Sequence, residues 1–125
     1  MTAYEILNRG FSLCGENFRG FGEKETALVW LNEAIGECLC RENMIREKTG
    51  KAPAENIEAN SLTDTVDNDY KIAAYCLPLA VAAMVYRDRE DNYMSSVYRN
   101  RFLSRLAEAA GSIEKPITDY YGGRP

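Results

Sequence analysis

Histidine is absent from the 125 residues, which removes both the commonest general base and the commonest metal ligand. No serine or cysteine has a recognisable activating partner near it in sequence, so nucleophilic catalysis has no visible apparatus. Carboxylates are the remaining reactive groups. Glu33 and Glu37, and likewise Asp88 and Asp91, stand about one helical turn apart, a spacing at which two facing helices can share a magnesium ion between paired acids. Each pair also has a local explanation: the first lies on the polar face of a helix, and the second sits where a helix begins and negative charge meets the positive end of its dipole. Asp64, Asp67 and Asp69 suggest a calcium loop, yet the glycine for the sharp turn and the distal glutamate are missing, so helix capping is the expected role. Cys38-x-Cys40 lacks partners at zinc spacing, and all four cysteines, with Cys14 and Cys76, fall in apolar helical patterns where a thiol behaves as a small hydrophobe. The expectation is therefore no catalytic residue, no metal site and no cofactor.

The other charged feature is basic. Arg89, Arg99, Arg101 and Arg105 would share one face of a helix, either solvated or in contact with acidic protein or nucleic acid. The net charge of −4, from 15 basic and 19 acidic side chains, argues against tight non-specific binding to a phosphate backbone. Gly20-x-Gly22 lacks the third glycine and the preceding strand of a dinucleotide site and reads as a turn.

The elements that must carry these residues are helical. Thr2-Ala3-Tyr4-Glu5 is a capping box, followed by a helix with Ile6, Leu7, Leu13 and Cys14 on one side and Gly15 as its left-handed stop. From about Glu23 to Glu47 a second helix buries Leu28, Leu31, Ile35 and Cys38. Its other side holds Asn32, Glu33 and Asn43 but also Val29, Cys40 and Met44, apolar residues that await another segment or subunit. Residues 48–66 break the pattern for longer than a usual connection, which suggests a functional loop or an arm. Ile72 to Tyr86 then carries no charge. At 1.5 Å per residue it makes only about 22 Å of helix, short of the ~30 Å of a hydrocarbon layer. One row, with Ile72, Cys76, Leu79, Ala83 and Met84, belongs to the core. A second, nearly opposite, holds Leu77, Val81 and Val85, which become candidates for a subunit interface. Pro78 crowds the carbonyl of Ala74 and predicts a kink or break. A last helix, introduced by Asp88, Glu90 and Asp91, buries Tyr98, Phe102 and Leu106 and stops at Gly111.

Residues 112–125 cannot continue that helix past Pro116. They combine Ile117, Tyr120 and Tyr121 with Gly122 and Gly123, a composition unlike that of a solvated tail, so an extended arm that docks on a partner is expected. The fold class is then all-α: a compact bundle of about four helices over 1–111, a long loop between the second and third, and a C-terminal arm over 112–125. The opening MTAYEILNRG has no basic stretch, apolar run and cleavage site in series, so a cytoplasmic chain is expected.

The order Leu7 to Arg9 in an opening helix, Asp67 to Tyr70 leading to Leu77-Pro78 and an alanine-rich centre, an acidic turn over Asp88 to Asn92, Tyr98 with Phe102, and an arm with ITDYYGG resembles the head–tail connector, or portal adaptor, proteins of tailed bacteriophages. The resemblance covers nearly the whole chain, but its motifs are packing features. It implies a structural virion protein, not an enzyme, located in the virion neck after assembly in the host cytoplasm. Its partners would be further copies in a ring, commonly of twelve, the portal protein met by the arm through Ile117, Tyr120, Tyr121, Gly122 and Gly123, tail or stopper proteins, and DNA that passes through without sequence-specific binding. No membrane is expected. The alternatives are a magnesium-dependent all-α nucleotide pyrophosphatase built on the acidic pairs and a small helical DNA-binding regulator built on Arg99 and Arg105.

Overall fold

The Thr2 cap does what its sequence predicts. In a computed structural model of the chain, which describes residues 1–111, the Thr2 hydroxyl accepts the Glu5 amide at 3.2 Å, and Glu5 accepts the Thr2 amide at 2.9 Å. The Thr2 amide, and the Thr2 hydroxyl at 3.1 Å, hold the Glu5 carboxyl below its ordinary range. Helix α1 runs Ala3–Leu13 and buries Ile6, Leu7 and Phe11. It closes in the expected way: Gly15 takes a left-handed φ of 73°, and the Glu16 amide returns to the Phe11 carbonyl at 2.9 Å, satisfying a carbonyl that the helix end leaves orphaned. A single 3-10 turn, Phe18–Gly20, follows. The Lys24 ammonium donates to the carbonyls of Phe18, Arg19 and Phe21 and lies over the Phe18 ring, so the Gly20-x-Gly22 turn closes on a lysine of its own chain.

Helix α2 spans Lys24–Lys48 and organises the segment after it. Asn32 donates to the Ala59 carbonyl at 2.9 Å and accepts the Ala59 amide at 2.8 Å; Asn43 does the same with Ala54, at 3.0 and 2.8 Å. Each primary amide thus imitates a β-ladder partner. The spacing explains why the chain fits: Asn32 and Asn43 are about three turns and 16 Å apart on one helix face, and Ala54 to Ala59 in extended form covers about 16 Å. The segment runs antiparallel to α2 and buries Ile57 and Ala59. It then meets the start of α1, where the amides of Ala3 and Tyr4, orphaned by helix geometry, donate to the carbonyls of Asp64 and Leu62 at 2.9 Å each.

The far end of this strap is fixed by a charge. Glu42 is 1% exposed. Its carboxylate accepts from the Arg46 guanidinium at 2.7 Å, the Asn68 side chain at 3.1 Å and the Asp69 amide at 2.8 Å, and Arg46 reaches on to the Asp67 carbonyl at 2.6 Å. Of the two expectations for 48–66, a functional loop or an arm, the arm is therefore corrected. The 21 residues between α2 and the next helix are held by side chains of α2, because the asparagines on the other side of that helix are turned onto backbone. The three aspartates also separate in role: Asp64 accepts the amides of Asn60 and Ser61, which lowers its pKa; Asp67 pairs with Arg46; Asp69 caps the next helix through the Lys71 amide at 2.9 Å.

The uncharged stretch becomes two helices, α3 over Tyr70–Tyr75 and α4 over Leu77–Asp88, parted at Cys76 as Pro78 demands. Helix α4 is the hub, packed against α1, α2 and the last helix, α5, which spans Asn92–Gly111. Leu77 and Val81 are 0% exposed and Val85 4%. The second apolar row is covered by the chain's own helices, so these three offer no surface to another copy. Of the expected core, Leu31, Ile35, Cys38, Ile72, Cys76, Ala83, Phe102 and Leu106 are buried, whereas Leu28, Leu79 and Met84 are half-buried at its margin. Asp88 ends α4 instead of opening α5, whose first turn is held by Asp91 accepting the Met94 amide at 3.1 Å. Between them Glu90 adopts φ 60°, the left-handed position of the same kind of helix ending that Gly15 provides after α1. Apart from one isolated bridge between Thr2 and Thr65, the regular structure of the described residues is all helical, and none of these helices is long and apolar enough to cross a membrane.

Candidate functional site

Helices α1 and α5 both pack on α4 and scarcely touch one another. The gap between them is a groove of about 800 Å³. Its walls follow one spacing on each helix: Asn8, Arg9, Ser12 and Leu13 from α1, and Asn100, Arg101, Ser104, Arg105 and Glu108 from α5. Positions i, i+1, i+4 and i+5 share a helix face, so each wall is one continuous strip. The floor is Ala74, Tyr75, Pro78 and Leu79, where the break between α3 and α4 leaves Tyr75 half exposed. Arg105 stands 5.9 Å from the Tyr75 ring centroid and Arg101 4.9 Å from that of Tyr98, contacts that orient the guanidiniums while leaving their N–H groups available.

A second cleft, of about 500 Å³, lies between α2, α4 and α5. Glu33 and Glu37 do line it together, as their spacing predicts, but the helices opposite contribute Arg87 and Arg99. Arg99 engages both oxygens of Glu37, one at 2.9 Å, and this pairing raises the arginine's pKa. Among the described residues no group of three or more histidine, cysteine, aspartate or glutamate side chains could hold a metal ion.

The expected basic face of α5 is divided by its surroundings. Arg89, which precedes α5, pairs with Glu16 at 2.5 Å and lies over Tyr86; Arg99 serves Glu37; Arg101 and Arg105 face the groove. There they are joined by Arg9, which sequence reasoning had not grouped with them. No helical spacing relates α1 to α5, so only the packing of both on α4 could bring the three together. Of the interface candidates, Val29 is 54% exposed, Cys40 is exposed and Met44 half-buried. Cys40 also corrects the placing of all four thiols in apolar surroundings. Cys14, Cys38 and Cys76 are buried, and burial raises the pKa of all three, to about 11 for Cys14 and Cys76. Ile117, Tyr120, Tyr121, Gly122 and Gly123 lie outside the described residues.

Comparison with known proteins found no matching family model, no matching curated protein and no matching solved structure.

Proposed function

We propose that the chain is a structural subunit, a head–tail connector of the tailed-bacteriophage kind, that assembles with further copies into a ring beneath a portal and lets DNA pass without reading it. The support comes from the positions of the resembling segments in the fold. Leu7 to Arg9 lie in the opening helix, Asp67 to Tyr70 lead into the central one, Leu77-Pro78 is its break, Asp88 to Asn92 form the turn into the last helix, and Tyr98 and Phe102 are buried on that helix. That these segments, all of the resembling ones among the described residues, fall within one helical unit at its helices and the joints between them is the observation that carries the reading. A role without catalysis also suits the disposition of the acids: Glu37 is occupied by Arg99, Asp91 by a helix start and Glu42 by the strap.

Exposed Val29 and Cys40 on α2 are the residues by which a neighbouring copy would be met. The test is the mass of the purified full chain in native conditions, alone and mixed with portal rings. Ring multiples, or a portal complex containing many copies, are expected. Release of pyrophosphate from nucleoside triphosphates would replace this reading with a hydrolase, and salt-sensitive binding to duplex DNA would replace it with a regulator.

A further inference from the structure

The groove between α1 and α5 has an unbalanced charge. Arg9, Arg101, Arg105 and Glu108 are the charged residues of its lining, and among the described residues no carboxylate oxygen lies within ion-pair distance of any of these three arginines. Of the arginines elsewhere, Arg46, Arg89 and Arg99 have carboxylate partners and Arg19, Arg41 and Arg87 have none among the described residues, but only the groove gathers three without one. Three guanidiniums above a floor of Tyr75, Pro78 and Leu79 suit a segment that carries carboxylates and apolar side chains together. The groove continues into a smaller hollow that shares Tyr75, Arg105 and Glu108 and reaches Ala109. It therefore opens beside Gly111, where α5 ends.

The chain beyond Gly111 has that composition. Residues 112–125 bring Glu114 and Asp119 with Ile113, Ile117, Tyr120 and Tyr121, alongside Lys115 and Arg124, so the segment offers two local carboxylates rather than a net negative charge. We propose that this segment turns back at the end of α5 and occupies the groove of its own chain, with its carboxylates on the arginines and its isoleucines and tyrosines on the floor. The lengths agree. Arg105 lies about 9 Å back along α5 from Gly111, and three extended residues cover about 10 Å, which brings Glu114 level with it. The five residues from there to Asp119 cover roughly 16 Å more, enough to pass Arg101, which lies about 6 Å further back along α5. A tether this short gives the segment a local concentration of the order of millimolar, which favours its own groove over that of another copy. The inference concerns the isolated chain and stands apart from the ring reading.

The test uses the full chain and chymotrypsin, which cuts after Tyr120 and Tyr121, with the products read by intact mass. Where opening is fast, cleavage follows the open population, so a segment docked nine-tenths of the time is cut about tenfold more slowly than a free one. Arg101→Glu with Arg105→Glu, both exposed positions, is expected to raise the rate about tenfold with an unchanged far-UV circular dichroism spectrum. Glu114→Lys with Asp119→Lys is expected to do the same without touching the helical unit, and combining the two pairs, which exchanges the charges, is expected to restore slow cleavage. Equal rates for the wild type and both pairs of substitutions overturn the proposal. So does protection that disappears on tenfold dilution, which would assign the groove to the segment of a second copy.

Discussion

Gly10 and Gly36 are both helical glycines, and the structure sets the same substitution at the two positions on opposite courses. On α1, a Cβ at Gly10 would stand 2.6 Å from Val81 Cγ1, 2.7 Å from Val81 Cβ and 3.0 Å from the Pro78 carbonyl oxygen. Carbon atoms rest about 3.5–4.0 Å apart, so α1 and α4 must separate by about 1 Å, and neither Val81, which is fully buried, nor the Pro78 backbone can yield by a rotamer change. Overpacking of this kind costs about 3 kcal/mol at the upper end of its usual range, and alanine recovers about 1 kcal/mol of helix propensity. Gly10→Ala is thus expected to lose about 2 kcal/mol, a fall in melting temperature of about 8 °C for a chain of this size. On α2, nothing lies within 4 Å of a Cβ at Gly36, so Gly36→Ala is expected to gain up to about 1 kcal/mol and a few degrees. Thermal and urea melts followed by circular dichroism measure both. If Gly10→Ala melts with or above the wild type while Gly36→Ala behaves as expected, the close crossing of α1 on α4, and with it the geometry of the groove walls, is wrong.

Further outcomes follow from the strap and the helix ends. Asn32→Ala and Asn43→Ala each leave the amide and the carbonyl of a strap alanine without a partner, costing roughly 1–3 kcal/mol; hydrogen exchange over residues 54–59 should accelerate in both, and a double variant costing clearly less than the sum would mean that the strap releases as a unit. Glu42→Ala strands Arg46, Asn68 and the Asp69 amide in a buried site and should cost about 3 kcal/mol by urea denaturation, whereas a loss below half of that would show the carboxylate to be dispensable. Glu90→Gly relieves a left-handed residue and should stabilise by about 1 kcal/mol, seen as a rise in melting temperature. At pH 8 only Cys40 should react quickly with a thiol reagent, because burial holds Cys14 and Cys76 at about 11. These folded values lie above those of free thiols, so the unfolded chain loses its protons first, and stability should fall as pH rises from about 9 towards 11.

The sequence by itself determined most of the helices. A capping box, a left-handed glycine stop, a proline two residues into α4 and an apolar rhythm act within one or two turns of chain, so Thr2 with Glu5, Gly15, Pro78 and the core row through Ile72 and Cys76 could each be read where they stand. The same locality explains the misjudgements. Asn32 and Asn43 look like solvated residues, because a primary amide gives no sign in one dimension that it will meet backbone arriving from residues 54–59, and Glu42 likewise looks like one more surface acid. Leu77, Val81 and Val85 look like surplus hydrophobes until three other helices surround α4. Arg9 joins Arg101 and Arg105 only because α1 and α5 rest on the same helix with a gap between them. What depends on bonds within a turn is written in neighbouring residues; what depends on which faces meet is decided by packing, since burial is a property of the whole assembled chain and the partner of each side chain is fixed only when distant segments have come together.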